Sequence, residues 1–212
     1  MHSGKIIHAS ANHPFLTING WQRLDVLRVG THLALPRVLQ PIHTASLLSD
    51  DELILLAHLL GDGCVLPHQP IHYTSADEKN INIVSQAAQR LFDIKPRLVR
   101  QKNWWHLYLP SPYRLARGRH HPITDWFMRL DIALVRSYEK VIPASVFGCD
   151  DAKIRFFLHQ LWATDGNISW KFLAGRKPSA AIYYATTSKK LAEQVQHLLL
   201  RLGILSCLRT VP

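Results

Sequence analysis

The sequence has few cysteines and no long apolar run. Its 212 residues include three cysteines, Cys64, Cys149 and Cys207, which are odd in number and form no Cys-x-x-Cys pair. Neither a disulfide framework nor a zinc site is therefore predicted. No stretch approaches the ~20 apolar residues that span a bilayer, and the first ten residues lack the apolar region of a signal peptide. We expect a cytoplasmic protein with reduced thiols and no membrane partner.

Acidic residues are scarce relative to basic ones. Asp and Glu number 15 against 25 Lys and Arg, which gives a formal net charge of +10 and a pI near 9.8. This balance favours a polyanionic partner, with a solvated basic face as the ordinary alternative. The 13 histidines show no metal-ligand spacing, so zinc receives little weight. The candidate DNA-binding residues lie in one strand-like run and in basic loops: Arg97, Arg100, Lys102, Arg117, Arg119, Lys171, Arg176 and Lys177.

Two segments about a hundred residues apart share one pattern, an apolar helix that runs into Asp-Gly. They are LILLAHLLGDG, residues 53–63, and FFLHQLWATDG, residues 156–166. Each places a carboxylate, Asp62 or Asp165, at a helix C-terminus, where the helix dipole makes negative charge unfavourable. A cation such as Mg²⁺ (or Mn²⁺) would reverse that penalty by binding the carboxylate oxygens. One Asp-Gly alone would indicate a turn, but two such copies predict a metal site where two packed helices end.

The two halves of the chain also repeat one another beyond these motifs. Residues 73–92 align with residues 184–203, so that Arg90 matches Arg201. Both segments begin as a Tyr/Thr/Ser strand and pass into an amphipathic helix. A single duplication of this length predicts pseudo-twofold symmetry. We therefore expect a monomeric pseudo-dimer of two α-β-β-α-like halves, each supplying one metal-binding end.

Local signals mark the element and domain boundaries. Ser49 and Glu52 form a capping-box pair before the first apolar helix, and Asp150 starts the second. Residues 1–45 contain short β-like segments separated by Asn-His-Pro and Asn-Gly turns, as in part of an all-β module. Residues 39–52 are predicted to be a linker.

The segment between the halves, residues 110–143, is punctuated by Pro and Arg. It contains one predicted helix, ITDWFMRLDIALV at residues 123–135. We expect this segment to connect the two halves, and it has no obvious catalytic group.

Together these features resemble the LAGLIDADG (DOD-type) homing endonucleases. LLAHLLGDG and LHQLWATDG stand at the family's two signature positions. Residues 140–143, Lys-Val-Ile-Pro, and residues 188–204 resemble the blocks before and after the second signature. Residues 10–37 resemble the middle of an intein splicing domain, closest to the inteins of replicative DNA helicases. The resemblance implies a partial splicing (Hint) module at 1–45 and a C-terminally truncated endonuclease domain at 46–212.

The resemblance further implies an α+β fold in which saddle-shaped sheets lie over the DNA and the two signature helices pack at the centre. It implies that Asp62, Asp165, Gly61 and Thr164 form the divalent-metal site, and that both DNA strands are hydrolysed. A host replicative helicase sequence would flank the chain as extein. Lys102 is the candidate basic group that orients water or stabilises transition-state charge. An alternative that is about equally expected is that Lys102 contacts a phosphate or is merely exposed.

The chain departs from the family pattern at the helix interface. Ala57 and Gln160 occupy positions where the family usually has glycine, because the helix axes approach within ~8–10 Å. Ala57 is a mild change. Gln160 is expected either to hydrogen-bond across the interface or to loosen it.

Two other functions are compatible with the sequence. The first is a catalytically degenerate remnant that binds DNA, since a strand pair of the second half and the symmetry mate of Lys102 are expected beyond Pro212. The second is a piece of a protein-splicing element that works only with missing flanking segments. His13 resembles the family histidine that activates the first peptide bond, with Ser10 in the place usually held by threonine. Neither splice junction is present in this chain.

Overall fold

The N-terminal part of the chain contains a small β-hairpin. A computed structural model describes residues 1, 3–36, 39 and 48–211. In it, β1 (Pro14–Thr17) pairs antiparallel with β2 (Gly20–Arg23), and Gly20 supplies the positive φ of +88° that the turn requires. This hairpin agrees with the β-like pattern of the first segment. The predicted linker falls mostly on residues 40–47, which lie outside the described residues.

After this hairpin comes the first half of the repeat, residues 50–108, in which two helices pack against a four-stranded sheet. Ser49 begins the first helix with the predicted capping box, in which its side chain and that of Glu52 each bind the other's backbone N–H. The strands are all antiparallel, in the order β3-β4-β6-β5. The elements are α1 (Asp50–Gly61), β3 (Gly63–Cys64), β4 (His72–Ser75), α2 (Glu78–Phe92), β5 (Arg97–Arg100) and β6 (Trp105–Tyr108).

This sheet has a buried face and an outer face. Tyr73 of β4 lies opposite Leu107 of β6, and both are buried on the side that α2 covers. Since side chains alternate along a strand, the residues beside them point to the opposite side. That outer face carries His72, Thr74 and His106, which are only partly buried.

The segment between the halves, residues 110–143, contains a shorter helix than the sequence predicts. Its helix α3 (Pro122–Arg129) ends six residues before the predicted limit of Val135. The cause is Asp131, whose φ of +56° is left-handed, and the N–H of Ile132 folds back to the Phe127 carbonyl at 2.9 Å. A short helix α4 (Ala144–Phe147) follows later in the chain.

The second half repeats the element order α-β-β-α of the first. Asp150 caps the N-terminus of the second central helix, as predicted. The C-terminus of that helix is followed directly by a strand that begins at Gly166. The two strands pair only with each other among the described residues, and Ile168, Trp170 and Ile182 on one face of this hairpin are exposed. The elements are α5 (Asp151–Asp165), β7 (Gly166–Lys171), β8 (Ser179–Tyr184) and α6 (Lys189–Arg201).

The core lies where α1 meets α5. Helix α1 is buried on nearly every side, as expected of a helix that is apolar all round, and its Leu53 and Leu56 are fully buried. Arg90 of α2 pairs with Asp51 of α1 at 2.6 Å. Its aligned partner Arg201 of α6 pairs with Asp151 of α5 at 3.3 Å, so each half is held by the same kind of ion pair. None of the described helices is both long and apolar enough to cross a membrane.

Candidate active site

The ends of α1 and α5 meet, and each brings one aspartate to the junction. Asp62 follows the last residue of α1, and Asp165 is the last residue of α5. The residues before them are in contact, because a Cβ added to Gly61 would fall 2.1 Å from the Thr164 Oγ1 atom. Only glycine at position 61 allows the two helices to approach this closely. The predicted meeting of the two Asp-Gly motifs is therefore observed.

Each aspartate is also fixed by the strand pair that follows it. The Asp62 carbonyl accepts a hydrogen bond from the Thr74 N–H at 3.2 Å, and the Asp165 carbonyl accepts one from the Ala185 N–H at 3.1 Å. The strand register is equivalent too, since Gly63 lies opposite Tyr73 and Gly166 opposite Tyr184. The two carboxylates thus occupy corresponding places in the two halves.

The electrostatics of this junction disfavour two negative charges. Burial raises the pKa of Asp62 to about 6, and the nearby Asp165 carboxylate adds to the rise. Burial also raises the pKa of Asp165. Paired half-buried carboxylates of this kind are stabilised in the ionised form by a cation between or beside them. The junction therefore has the electrostatic character of a cation site.

The donor set suits a hard cation rather than zinc. Among residues 1, 3–36, 39 and 48–211, no group of three or more His, Cys, Asp or Glu side chains could hold a metal ion. A bound ion would therefore take the Asp62 and Asp165 carboxylates and complete its shell with backbone carbonyls, water or substrate phosphate oxygens. Mg²⁺ is commonly bound in this way, through one or two carboxylates while it keeps several waters.

Lys140 is the site residue that sequence reasoning missed. Its Nζ donates to the carbonyls of Leu59 at 2.9 Å, Gly61 at 3.2 Å and Gly63 at 2.8 Å. Burial lowers the pKa of this ammonium group, while Asp62 opposes that change. The segment of residues 110–143, in which the sequence shows no obvious catalytic group, brings this partly buried cation to the end of α1. The available signal was the Lys-Val-Ile-Pro block at residues 140–143.

Gln160 bridges the two central helices. Its Oε1 atom lies 3.2 Å from His58 Nε2, and His58 Nδ1 lies 3.0 Å from the Tyr73 hydroxyl. An amide oxygen can only accept, so Nε2 carries the proton and Nδ1 accepts from the hydroxyl. Burial lowers the pKa of His58 to about 4, which keeps the ring neutral. Of the two outcomes expected for Gln160, the structure shows the hydrogen bond across the interface.

The predicted basic group Lys102 does not lie in a strand. Strand β5 ends at Arg100, and the chain turns there, with the Gln101 N–H donating to the Trp104 carbonyl at 2.9 Å. Lys102 is exposed in this turn. The strand assignment was wrong because β5 ends at Arg100, two residues before Lys102.

The candidate DNA-binding residues are exposed but divided among several surfaces. Arg97 lies over the Tyr108 ring on the outer face of the sheet, at 4.6 Å from its centroid. Arg100 lies over Trp105 on the opposite face, at 5.1 Å. The remaining residues lie in exposed loops or at a strand end: Arg117, Arg119, Lys171, Arg176 and Lys177.

Ser10 and His13 share a tight turn near the N-terminus. The His13 N–H donates to the Ser10 carbonyl at 3.0 Å, and the Ser10 hydroxyl donates to Asn12 Oδ1 at 2.7 Å. The His13 ring packs edge-on against Phe15. Both residues are exposed.

Comparison with known proteins gives matches along almost the whole chain. A model of the LAGLIDADG-like domain matches residues 152–211, a range that includes Asp165. The chain is 47% identical over 210 residues to part of the replicative DNA helicase DnaB of Rhodothermus marinus, covering 98% of this chain and 22% of the helicase. It is 29% identical over 213 residues to part of the protein RecA of Mycobacterium bovis, covering 97% of this chain and 25% of RecA. The chain thus spans about a quarter or less of the length of these curated relatives.

A solved structure is also similar. It describes mesophilic variants of the homing endonuclease I-DmoI, with a TM-score of 0.44 and 16% sequence identity. The similarity covers 73% of this chain and 77% of that chain.

Proposed function

We propose that this chain contains the core of a LAGLIDADG homing endonuclease that hydrolyses phosphodiester bonds of double-stranded DNA with Mg²⁺ or Mn²⁺. The observation that supports this best is the junction of α1 and α5, which brings Asp62 and Asp165 together in a half-buried setting. The LAGLIDADG-like match over residues 152–211 supports the same assignment for the second helix. The two α-β-β-α halves are, in this proposal, the products of one duplication.

In the proposed reaction Asp62 and Asp165, with the backbone of Gly61 and Thr164, would hold the metal. The ion, when bound, activates water and stabilises the leaving oxygen. Lys140 does not contact substrate, since all three of its ammonium hydrogens are directed to carbonyls of this chain. Its charge instead offsets that of the carboxylates.

DNA is proposed to lie across the outer face of the four-stranded sheet. Arg97 and Tyr108 form a cation-π pair there, and Thr74 bonds to His106 at 3.1 Å, so the face offers donors at fixed positions. Strands that present such side chains suit groove contacts. Lys102, in the exposed turn at the end of this sheet, is proposed as a basic group that contacts a phosphate near the reacting bond.

The proposed setting of the chain is an intein within a replicative helicase. One stretch of about 210 residues matches parts of both a helicase and RecA, which is expected of a segment inserted into different hosts. Ser10 and His13 would then be part of the splicing module. The chain can be expressed in place of the matching segment of the full-length helicase of Rhodothermus marinus, so that the sequences on both sides can supply the splice junctions that this chain lacks. Mass spectrometry for a ligated product then tests the proposal. Recovery of the unspliced chain alone would contradict it.

The endonuclease proposal is tested by cleavage of a supercoiled plasmid that carries an uninterrupted helicase coding sequence. The wild-type chain, Asp62→Asn and Asp165→Asn are compared in Mg²⁺ and in EDTA. Asp50→Asn, an exposed acid at the other end of α1, is the matched control. We expect metal-dependent nicking or linearisation that both site variants lose and the control keeps.

DNA binding without cleavage is the second candidate, and one asymmetry favours it. In the described part of the chain, no lysine bonds to the carbonyls at the end of α5 as Lys140 does at the end of α1. The same plasmid assay separates the two functions. Tight, salt-sensitive binding with no strand scission in Mg²⁺ or Mn²⁺ would overturn the hydrolytic proposal and support the second.

A further inference from the structure

Lys140 belongs to neither a helix nor a strand, yet its side chain is held at three carbonyls. Residues 140–143 have no regular secondary structure. A lysine side chain loses up to about 2 kcal/mol of rotamer entropy when it is fixed, so its backbone must be held firmly by other contacts. Those contacts come from the second half of the chain.

Helix α6 binds this segment through two side chains. The Ser188 hydroxyl donates to the Lys140 carbonyl at 2.7 Å. The Gln194 amide binds Ile142 twice, since its Oε1 accepts from the Ile142 N–H at 2.8 Å and its Nε2 donates to the Ile142 carbonyl at 2.9 Å. Ser188 and Ile142 are buried, so these bonds are shielded from water.

The fold alone does not require this arrangement. By the alignment of the two halves, Gln194 corresponds to Ile83 of α2 and Ser188 to Asp77, which also caps its helix. The cap is therefore common to both halves, whereas the amide at position 194 is not. The amide group of Gln194 is explained by its two hydrogen bonds to Ile142.

We propose that Ser188 and Gln194 are positioning residues that hold Lys140 at the end of α1, so that the second half of the chain completes the site of the first. The role of this contact in the reaction rests on the proposed endonuclease function. The placement of the lysine itself does not. Loss of the Gln194 amide should release the 140–142 segment and expose the Lys140 ammonium group.

The first test measures that exposure directly, without any nuclease activity. Each lysine of the full chain is acylated at fixed pH and its rate of labelling is read by peptide mass spectrometry. We expect Gln194→Met to raise the labelling rate of Lys140 about tenfold or more, since two hydrogen bonds are lost. The exposed Lys102 serves as an internal standard whose rate stays constant.

Gln196→Met is the matched control. Gln196 lies on the same helix and also uses its amide to bind backbone, the carbonyls of Ser3 and Ser206, both at 2.9 Å. It does not contact the 140–142 segment. An unchanged Lys140 rate in Gln194→Met, or an equal rise in Gln196→Met, would overturn the proposal, because the second result would mean that α6 had loosened as a whole.

A double-mutant cycle then tests the link to catalysis. If Gln194 acts through Lys140, Gln194→Met should lower the cleavage rate of the wild-type chain but leave that of Lys140→Met unchanged. A similar loss in both backgrounds would refute the positioning role. If the wild-type chain does not cut DNA, the endonuclease proposal fails, and the labelling result still decides whether α6 holds the lysine.

Discussion

Replacing Asp62 with asparagine should make the metal-free protein more stable at neutral pH. The pKa of this carboxyl rises from 3.8 to about 6, first through burial and then through Asp165. That change corresponds to about 3 kcal/mol at 1.36 kcal/mol per tenfold change in the ionisation constant. Because the side chain is partly solvated, screening reduces the cost of keeping it ionised to roughly 1–2 kcal/mol. Asparagine has nearly the same shape and no charge.

The sign of the effect depends on pH. A carboxyl whose pKa is higher in the folded state contributes stability that is fully present below 3.8 and is lost as pH rises through about 6. At pH 7.5 the wild-type chain has lost this contribution and Asp62→Asn has not. We therefore expect the variant to be more stable by roughly 1–2 kcal/mol at pH 7.5, with a gap that narrows as the pH is lowered toward 4.

Urea unfolding in EDTA measures this difference in stability. The same assay in Mg²⁺ tests the opposite effect, stabilisation of the wild-type chain by the bound ion. Ligand binding to the folded state adds stability that grows with concentration above Kd, so Mg²⁺ should stabilise the wild-type chain and not Asp62→Asn. Asp50→Asn is the control, because Asp50 lies in the first turn of α1, where its charge is favourable. That variant should lose about 0.3–1 kcal/mol. A loss of stability for Asp62→Asn in EDTA at pH 7.5 would refute the reasoning.

Three further predictions concern the helix interface and the DNA surface. Gly61→Ala should destabilise the chain by about 1–3 kcal/mol in urea unfolding, since its Cβ would meet the Thr164 side chain; Thr164→Gly in the same chain should restore part of the loss. Gln160→Leu should cost about 1–3 kcal/mol in the same assay, because the His58 Nε2–H is left buried without an acceptor. Arg97→Ala should weaken DNA binding and lower the slope of log affinity against log salt by about 1, measured by fluorescence anisotropy.

The sequence predicts the parts of the site that depend on local signals. Both central helices and their N-terminal caps follow from apolar spacing and from Ser49, Glu52 and Asp150, which act within one turn. The meeting of Asp62 and Asp165 follows from the repeat, since equivalent helices are expected to pack as a pair. Neither expectation requires knowledge of which segments, distant in the sequence, contact one another.

Lys140 could not be placed in the same way. Its partner carbonyls lie about 80 residues earlier in the chain, and the residues that hold its backbone lie about 50 residues later. Lys102 was misplaced for a related reason. The end of a strand depends on where the chain turns, and the turn that starts after Arg100 leaves Lys102 outside the strand.

The two ends of the site differ in a way that bears on how a metal would be held. At the end of α1, Lys140 already satisfies three carbonyls and places a positive charge near Asp62. At the end of α5, the Thr164 hydroxyl donates to the Leu161 carbonyl at 2.7 Å, and the Lys140 charge also acts on Asp165, where it opposes the rise in pKa that burial causes. A bound cation would therefore relieve more repulsion at Asp62, whose pKa burial and the Asp165 carboxylate raise to about 6, than at Asp165, whose pKa is raised by burial and opposed by Lys140. On this argument Asp62 is the carboxylate whose ionisation at neutral pH would depend more on a bound metal.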